Sequence, residues 1–298
     1  MTESSTGSVT VNGVRLAFRH WPPPSRNSCP PVVLLHGGLQ SGSGMKHLAD
    51  QLALSGEVVV PDLRGRGESD RPEDGYGPAT MADDVAAFIA ALGMDRPVLI
   101  GRLHGGLVAY HVAARHPDAT RGIVLGDVSP EVGEERAART IARTRALPRS
   151  FATHDEAARF YEDVLGLPIA RAHHDIPSDL ETLADGTLRW RHDLDIVARI
   201  EAAAMPRADW DLLAQVRCPA LVLRGQRGSL SEETAARMRA VMPRATVQTI
   251  IGSGYDVFLG PGAEQTVGAI QIFLRGLVSR ESSTDYPPDQ KTTQERLV

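Results

Sequence analysis

Short apolar runs alternate with segments of helical period along most of the chain. The first two runs, residues 8–11 and 15–20, predict a hairpin that turns at Asn12 and Gly13. Helical spacing predicts helices over residues 80–92 and 105–116. Continuous apolar runs, which are typical of parallel strands buried on both faces, occupy residues 31–36, 57–61, 97–101 and 122–127. The pattern therefore predicts an α/β fold with a mostly parallel central sheet flanked by helices.

The alternation stops between residues 129 and 209. This stretch is rich in Arg, Ala, His and acidic residues and contains no convincing strand, so it predicts a helical insertion. The alternation then returns, with strands over 219–225 and 245–251 and helices over 232–241 and 263–278. We therefore expect an α/β core in residues 1–128 and 210–280, a helical cap in residues 129–209, and a disordered polar tail in residues 281–298.

Composition narrows the function classes. The chain has 298 residues and a net charge of −5, which gives no electrostatic reason to expect nucleic acid or an anionic membrane as a partner. Its only cysteines are Cys29 and Cys218, and we find no signal-like or membrane-spanning run, so a cytoplasmic protein is expected. No nucleotide-binding glycine motif is present, and the cluster from His173 to Asp175 lacks metal-ligand spacing. We expect neither a cofactor nor a metal.

Four motifs in order resemble those of the α/β-hydrolase superfamily, and each forms or follows a predicted strand. A single glycine cluster would indicate only a turn, whereas four in this order identify a fold. The resemblance covers about residues 8 to 280 and implies the α/β-hydrolase fold with a helical cap inserted after the sixth strand. The motifs are His36-Gly37-Gly38, the turn from Asp62 to Asp70, Gly101-Arg102-Leu103-His104-Gly105-Gly106, and the strand from Pro219 to Gly225.

The resemblance also implies three addresses for a serine, acid and histidine triad, and none carries its expected residue type. Leu103 stands in the place of the nucleophile, Gly228 in that of the acid, and Tyr255 in that of the histidine. A covalent acyl-enzyme route needs a nucleophile, a base and an orienting group in contact. The sequence therefore predicts a mechanism other than ordinary hydrolysis.

The oxyanion hole of this superfamily is made of main-chain N–H groups, which here correspond to Gly38 and His104. We expect His104 to titrate near neutrality as a general acid or base, unless it merely packs against the loop. Tyr255 is expected to donate to a carbonyl or to fill the volume of the missing imidazole. Asp127 either orients Tyr255 or binds nearby backbone N–H groups. Ser41 is the nearby hydroxyl that offers a substitute nucleophile.

Aromatic side chains in the predicted cap suggest a large, flat ligand, although simple packing of the cap explains them equally well. We expect a small-molecule substrate, polycyclic in character, and leave a homodimer open. The predicted substrate-binding residues are Leu39, Leu103, Phe160, Tyr161, Trp190 and Trp210.

Three functions follow from these residues. The first is a non-hydrolytic enzyme that polarises a carbonyl or enone and promotes addition, cyclisation or C–C bond formation of Michael or aldol type. It resembles superfamily members that tailor bacterial polyketides such as anthraquinones and enediynes, and the scarcity of lysine beside arginine is typical of a GC-rich bacterial genome. The second is a catalytically silent ligand-binding protein. The third is a hydrolase with a relocated triad of Ser41, His104 and Asp127.

Overall fold

The computed structural model describes residues 4–25, 29–163, 176, 179–254 and 256–284. The helices are α1 (Lys46–Leu52), α2 (Pro78–Ala91), α3 (His104–Arg115), α4 (Glu134–Arg145), α5 (His154–Asp163), α6 (Leu194–Ala204), α7 (Trp210–Leu213), α8 (Glu232–Val241) and α9 (Ala263–Thr284). The strands are β1 (Ser5–Val11), β2 (Val14–Trp21), β3 (Val32–Leu35), β4 (Val58–Pro61), β5 (Val98–Arg102), β6 (Gly122–Gly126), β7 (Glu131–Val132), β8 (Ser150–Phe151), β9 (Leu180–Thr182), β10 (Leu188–Trp190), β11 (Arg207–Ala208), β12 (Ala220–Gly225) and β13 (Ala245–Ile250).

Eight of these strands form the central sheet, in the order β1-β2-β4-β3-β5-β6-β12-β13. The β1–β2 and β2–β4 pairs are antiparallel, and every other neighbouring pair is parallel. Alternate residues of β3 enter opposite layers: Val33 and Leu35 join one hydrophobic core, and Val32 and Leu34 join the other. Both faces are therefore covered, which explains why β3 reads as a continuous apolar run. The predicted α/β fold, with a mostly parallel central sheet flanked by helices, is confirmed.

The boundaries of two core helices differ from their prediction. Helix α2 begins at Pro78 after Gly77, rather than at Thr80, because proline fits the first turn of a helix without losing a hydrogen bond. Helix α9 continues to Thr284, beyond the predicted end at residue 278, and residues 285–298 of the expected tail lie outside the described residues. Helix α1 was not predicted.

The segment from residue 129 to 209 contains strands as well as helices, which corrects the all-helical prediction. Strands β8, β10 and β9 form a three-stranded sheet, and β11 pairs with β7. Each of these strands is two or three residues long, too short to give an alternating pattern. None of the helices in the described ranges has the length and hydropathy that crossing a membrane requires.

Candidate active site

The turn between β5 and α3 has the shape of a nucleophile elbow, and Leu103 stands at its apex. Leu103 has φ 46° and ψ −109°, a conformation that costs a leucine on the order of 1–3 kcal/mol. The glycines beside it allow close backbone approach: a Cβ on Gly105 would lie 2.1 Å from the carbonyl oxygen of Leu35. The strained turn is thus held by its surroundings while it carries an aliphatic side chain.

Leu103 faces a cavity of about 290 Å³ between the core loops and the cap. Six residues expected at the site meet there. They are Gly38, Leu39, Leu103, His104, Asp127 and Tyr161. The loops that follow β3, β5 and β6 bring the first five together, since parallel strands end at the same edge of a sheet.

His36 fixes the loop that carries Gly38. Its Nε2 accepts a hydrogen bond from the N–H of Leu63 at 3.1 Å, so its Nδ1 carries the proton and donates to the carbonyl of Gly37 at 3.0 Å. Burial lowers the pKa of His36 to about 3, which keeps the ring neutral. A neutral His36 therefore ties the Gly38 loop to the loop after β4.

His104 does not titrate near neutrality, so that prediction was wrong. Burial, reinforced by the positive charge of Arg66, lowers its pKa to about 3. Its Nε2 lies 3.2 Å from the Sδ of Met81 on α2. The imidazole is a neutral packing group at ordinary pH, and any oxyanion role of His104 depends on its main-chain N–H.

Asp127 braces the loop after β12. Its carboxylate accepts hydrogen bonds from the N–H groups of Ser229 at 2.6 Å, Gly225 at 3.3 Å and Leu230 at 3.3 Å, and from the hydroxyl of Ser229 at 2.8 Å. Burial raises its pKa, and these donors oppose that rise. Of the two roles considered for Asp127, binding of backbone N–H groups is the one that these contacts support.

The same carboxylate explains the glycine at the expected acid address. A Cβ on Gly228 would lie 2.2 Å from Oδ1 of Asp127, so a side chain there would displace the carboxylate. Tyr255, expected as a hydrogen-bond donor in place of the histidine, lies outside the described residues, as do His173, His174 and Asp175.

The proposed substitute triad is not assembled. The Oγ of Ser41 lies 2.7 Å from the Oγ of Ser43, and Ser41 does not line the cavity. The imidazole of His104 contacts Met81, and the carboxylate of Asp127 is engaged by its loop. No contact joins the three groups.

Three of the four aromatic residues expected to bind substrate lie elsewhere. Phe160 and Trp190 pack with Phe151 inside the cap, and the indole N–H of Trp190 donates to the carbonyl of Pro148 at 2.6 Å. Trp210 donates to a carboxylate oxygen of Glu131 at 2.6 Å and does not line the cavity. These three residues do not line this cavity, since aromatic content alone does not separate packing from ligand contact.

Sequence reasoning missed the ionisable cap residues that line the cavity, which include Glu201, Arg136 and Arg207. Glu201 is on α6, and its Oε1 would lie 2.7 Å from a Cβ on Gly38. A signal was available: Val197 and Ala204 of the same helix are buried, so Glu201 interrupts an apolar stripe.

Comparison with known proteins places this geometry in a family. The sequence profile of the Alpha/beta hydrolase family matches residues 32–265. The chain is 26% identical to 2-(acetamidomethylene)succinate hydrolase of Mesorhizobium japonicum over 84% of this chain and 89% of the relative. It is 34% identical to a soluble epoxide hydrolase of a Corynebacterium species, over 43% of each protein. The chain thus matches less than half of the length of that epoxide hydrolase.

Solved structures agree. The crystal structure of E-2-(acetamidomethylene)succinate hydrolase gives a TM-score of 0.80 at 23% identity, over 91% of this chain and 99% of that one. An alpha/beta hydrolase from Novosphingobium aromaticivorans gives 0.77 at 29% identity, over 92% and 99%. With the family profile matched over most of its length, the chain belongs to the alpha/beta hydrolase family.

Proposed function

We propose that this chain is a non-hydrolytic enzyme that polarises a carbonyl or enone and promotes addition, cyclisation or C–C bond formation. The observation that carries the proposal is Leu103, a residue without a nucleophilic atom, at the apex of a strained turn that faces the cavity. A covalent route through this turn has no attacking atom. The proposed reaction therefore forms no covalent intermediate on this turn.

The main-chain N–H groups of Gly38 and His104 are the proposed oxyanion donors. Both residues line the cavity with Leu103, and His104 is the first residue of α3, where N–H groups point out of the helix without intrahelical partners. In other enzymes, loss of one such donor has cost about 3–4 kcal/mol of transition-state stabilisation. A pair of donors can therefore stabilise an enolate without help from a nucleophile.

The substrate we propose is a compact polycyclic polyketide, such as an anthraquinone or an enediyne intermediate. The cavity of about 290 Å³ is near the lower end of the range of ~300–1,000 Å³ that is usual for ligand pockets. The cavity has an apolar and aromatic wall, which is formed by Leu39, Leu103 and Tyr161. This substrate class rests on the resemblance to polyketide-tailoring members of the superfamily, and the relatives compared above are named as hydrolases.

The test pairs two kinds of substrate. Purified protein is incubated with p-nitrophenyl acetate and butyrate and, separately, with anthraquinone-type enones that carry a tethered carbon nucleophile. We expect ester hydrolysis no faster than with heat-denatured protein, and conversion of an enone to a product of unchanged mass. Robust ester hydrolysis would overturn the proposal. Tight binding of the enones without turnover would instead support a silent ligand-binding protein.

A further inference from the structure

We propose that Glu201 is the residue that moves protons in this cavity, a catalytic carboxyl that the cap supplies to a turn of the core. The inference rests on the proposed function and names the general base and acid for it. At the triad addresses, Leu103 and Gly228 carry no ionisable side chain, and Tyr255 carries a phenol rather than a carboxyl.

The position of Glu201 is fixed by the packing of its helix. Val197 and Ile200 of α6 are fully buried, and Ala204 at its end is buried as well. Ala204 belongs to the main hydrophobic core and follows Glu201 by three residues, so Glu201 shares the face that α6 presents to the core. A Cβ atom added to Gly38 would lie 2.7 Å from Oε1 of Glu201. The carboxyl therefore sits beside one of the two proposed oxyanion donors.

The carboxyl of Glu201 is also not committed to another task. Among the described residues, three carboxylates line the cavity: Asp127, Asp179 and Glu201. Asp127 is engaged by the loop after β12, and Asp179 accepts a hydrogen bond from the hydroxyl of Tyr161 at 2.9 Å. Over the part of the chain that the structure describes, Glu201 makes no side-chain hydrogen bond or ion pair. It is thus the carboxylate of this lining that remains available to a ligand.

The surroundings of Glu201 suit proton transfer. Burial raises its pKa, while the charges of Arg66 and Arg207 lower it. Arg66 is 1% exposed, and its two Nη atoms have no hydrogen-bond partner among the residues that the structure describes. Its charge therefore acts on Glu201 at a distance rather than by a salt bridge. A carboxyl whose pKa is raised toward neutral pH, and which forms no direct ion pair, can both take and return a proton.

The step balances without an oxidant or cofactor. The Glu201 carboxylate removes a proton from an acidic C–H of the substrate, and the resulting carbanion attacks the β-carbon of the enone. One C–C bond forms, the π electrons move to the carbonyl oxygen, and the N–H groups of Gly38 and His104 hold that enolate oxygen. Glu201 then returns its proton to the α-carbon. The product is an isomer of the reactants, and Glu201 ends as a carboxylate.

The test uses 5-nitrobenzisoxazole as a probe, because its opening needs only a base and a site for the oxygen anion. Proton removal from its carbon breaks the N–O bond and releases coloured 2-cyano-4-nitrophenolate. We expect the wild-type protein to open the probe and Glu201→Gln to be at least about 100-fold slower, the usual scale of general-base catalysis. Glu201→Asp, which keeps the carboxyl on a shorter side chain, should recover part of the rate.

Asp195→Asn is the matched control, since it removes an exposed carboxylate from the same helix. It should leave the rate unchanged, and circular dichroism should show all variants folded. The inference is overturned if the wild-type protein does not open the probe, or if Glu201→Gln stays within threefold of it. Enone isomerisation that survives in Glu201→Gln would overturn this inference alone. Ester hydrolysis that depends on Glu201 would overturn the non-hydrolytic function while leaving Glu201 as the base.

Discussion

The two sides of the cavity differ in what they offer a ligand. On the core side, Leu103 is aliphatic, His104 is a neutral packing group, and Asp127 is engaged by four donors. On the cap side, Glu201 and Arg136 line the same cavity and make no side-chain hydrogen bond or ion pair within the ranges described. The core thus supplies shape and main-chain N–H groups, whereas the cap supplies ionisable side chains. Under our proposal, proton transfer that this fold usually assigns to core loops is carried out by a residue of the insertion.

The largest effect is expected for Asp127→Ala, which tests whether this core carboxylate is structural. The change removes the acceptor for three N–H groups and one hydroxyl, and each buried donor left unpaired costs about 1–3 kcal/mol. We expect the free energy of unfolding in urea to fall by about 3 kcal/mol. The exposed Asp74→Ala control should stay within about 0.5 kcal/mol. A stable Asp127→Ala variant that has lost probe turnover would instead make Asp127 a catalytic residue.

The Gly38→Ala variant tests the contact between Gly38 on the core side of the cavity and Glu201 on the cap side. The new methyl group would lie 2.7 Å from Oε1 of Glu201, so the carboxyl must move away from the oxyanion turn. We expect about tenfold slower turnover of 5-nitrobenzisoxazole, equivalent to about 1.4 kcal/mol. Gly133→Ala is the control, because a Cβ there meets nothing within 4 Å. An unchanged rate of probe turnover in Gly38→Ala would indicate that Glu201 does not act from its position beside Gly38.

Three buried histidines, two in the core and one in the cap, give the stability of the fold a specific pH dependence. The pKa of His36, of His104 and of His192 falls from 6.5 to about 3 on folding, chiefly because of burial. The unfolded chain therefore binds more protons between pH 3 and 6.5, and stability decreases as the pH falls through that window. Each histidine contributes a slope of up to about 1.4 kcal/mol per pH unit. Chemical denaturation of His104→Gln between pH 4 and 7 should give a shallower profile, and an unchanged slope would contradict the assignment.

The smallest effect is expected for Trp210→Phe. Its indole lies under the guanidinium of Arg237, 3.8 Å from the ring centre, and away from the cavity. Probe turnover should stay within twofold of wild type, whereas Tyr161→Ala, which alters the cavity wall, should change it more. A tenfold lower rate of probe turnover in Trp210→Phe would indicate that Trp210 contacts the ligand.

The core of the fold follows from local patterns, and much of the site does not. The continuous apolar run of β3 predicts the strand, and the glycines between β5 and α3 predict the turn, because each is a property of neighbouring residues. The close packing of Gly228 against Asp127 and the approach of Glu201 to Gly38 join residues far apart in the chain. Such contacts depend on how the cap and loops pack. The sequence therefore predicts Gly38, Asp127 and Gly228 as site positions, but it predicts neither their partners nor Glu201.

The proposed function requires that the protein has no serine nucleophile. This requirement can be tested most directly by reaction with a fluorophosphonate, which labels activated serines. Wild-type protein is treated beside a serine hydrolase as a positive control, and intact mass is measured for both. We predict no adduct on this chain, because Leu103 provides no attacking oxygen and Ser41 lies outside the cavity. A stoichiometric adduct on any serine, Ser129 and Ser229 of the cavity wall included, would contradict a nucleophile-free mechanism.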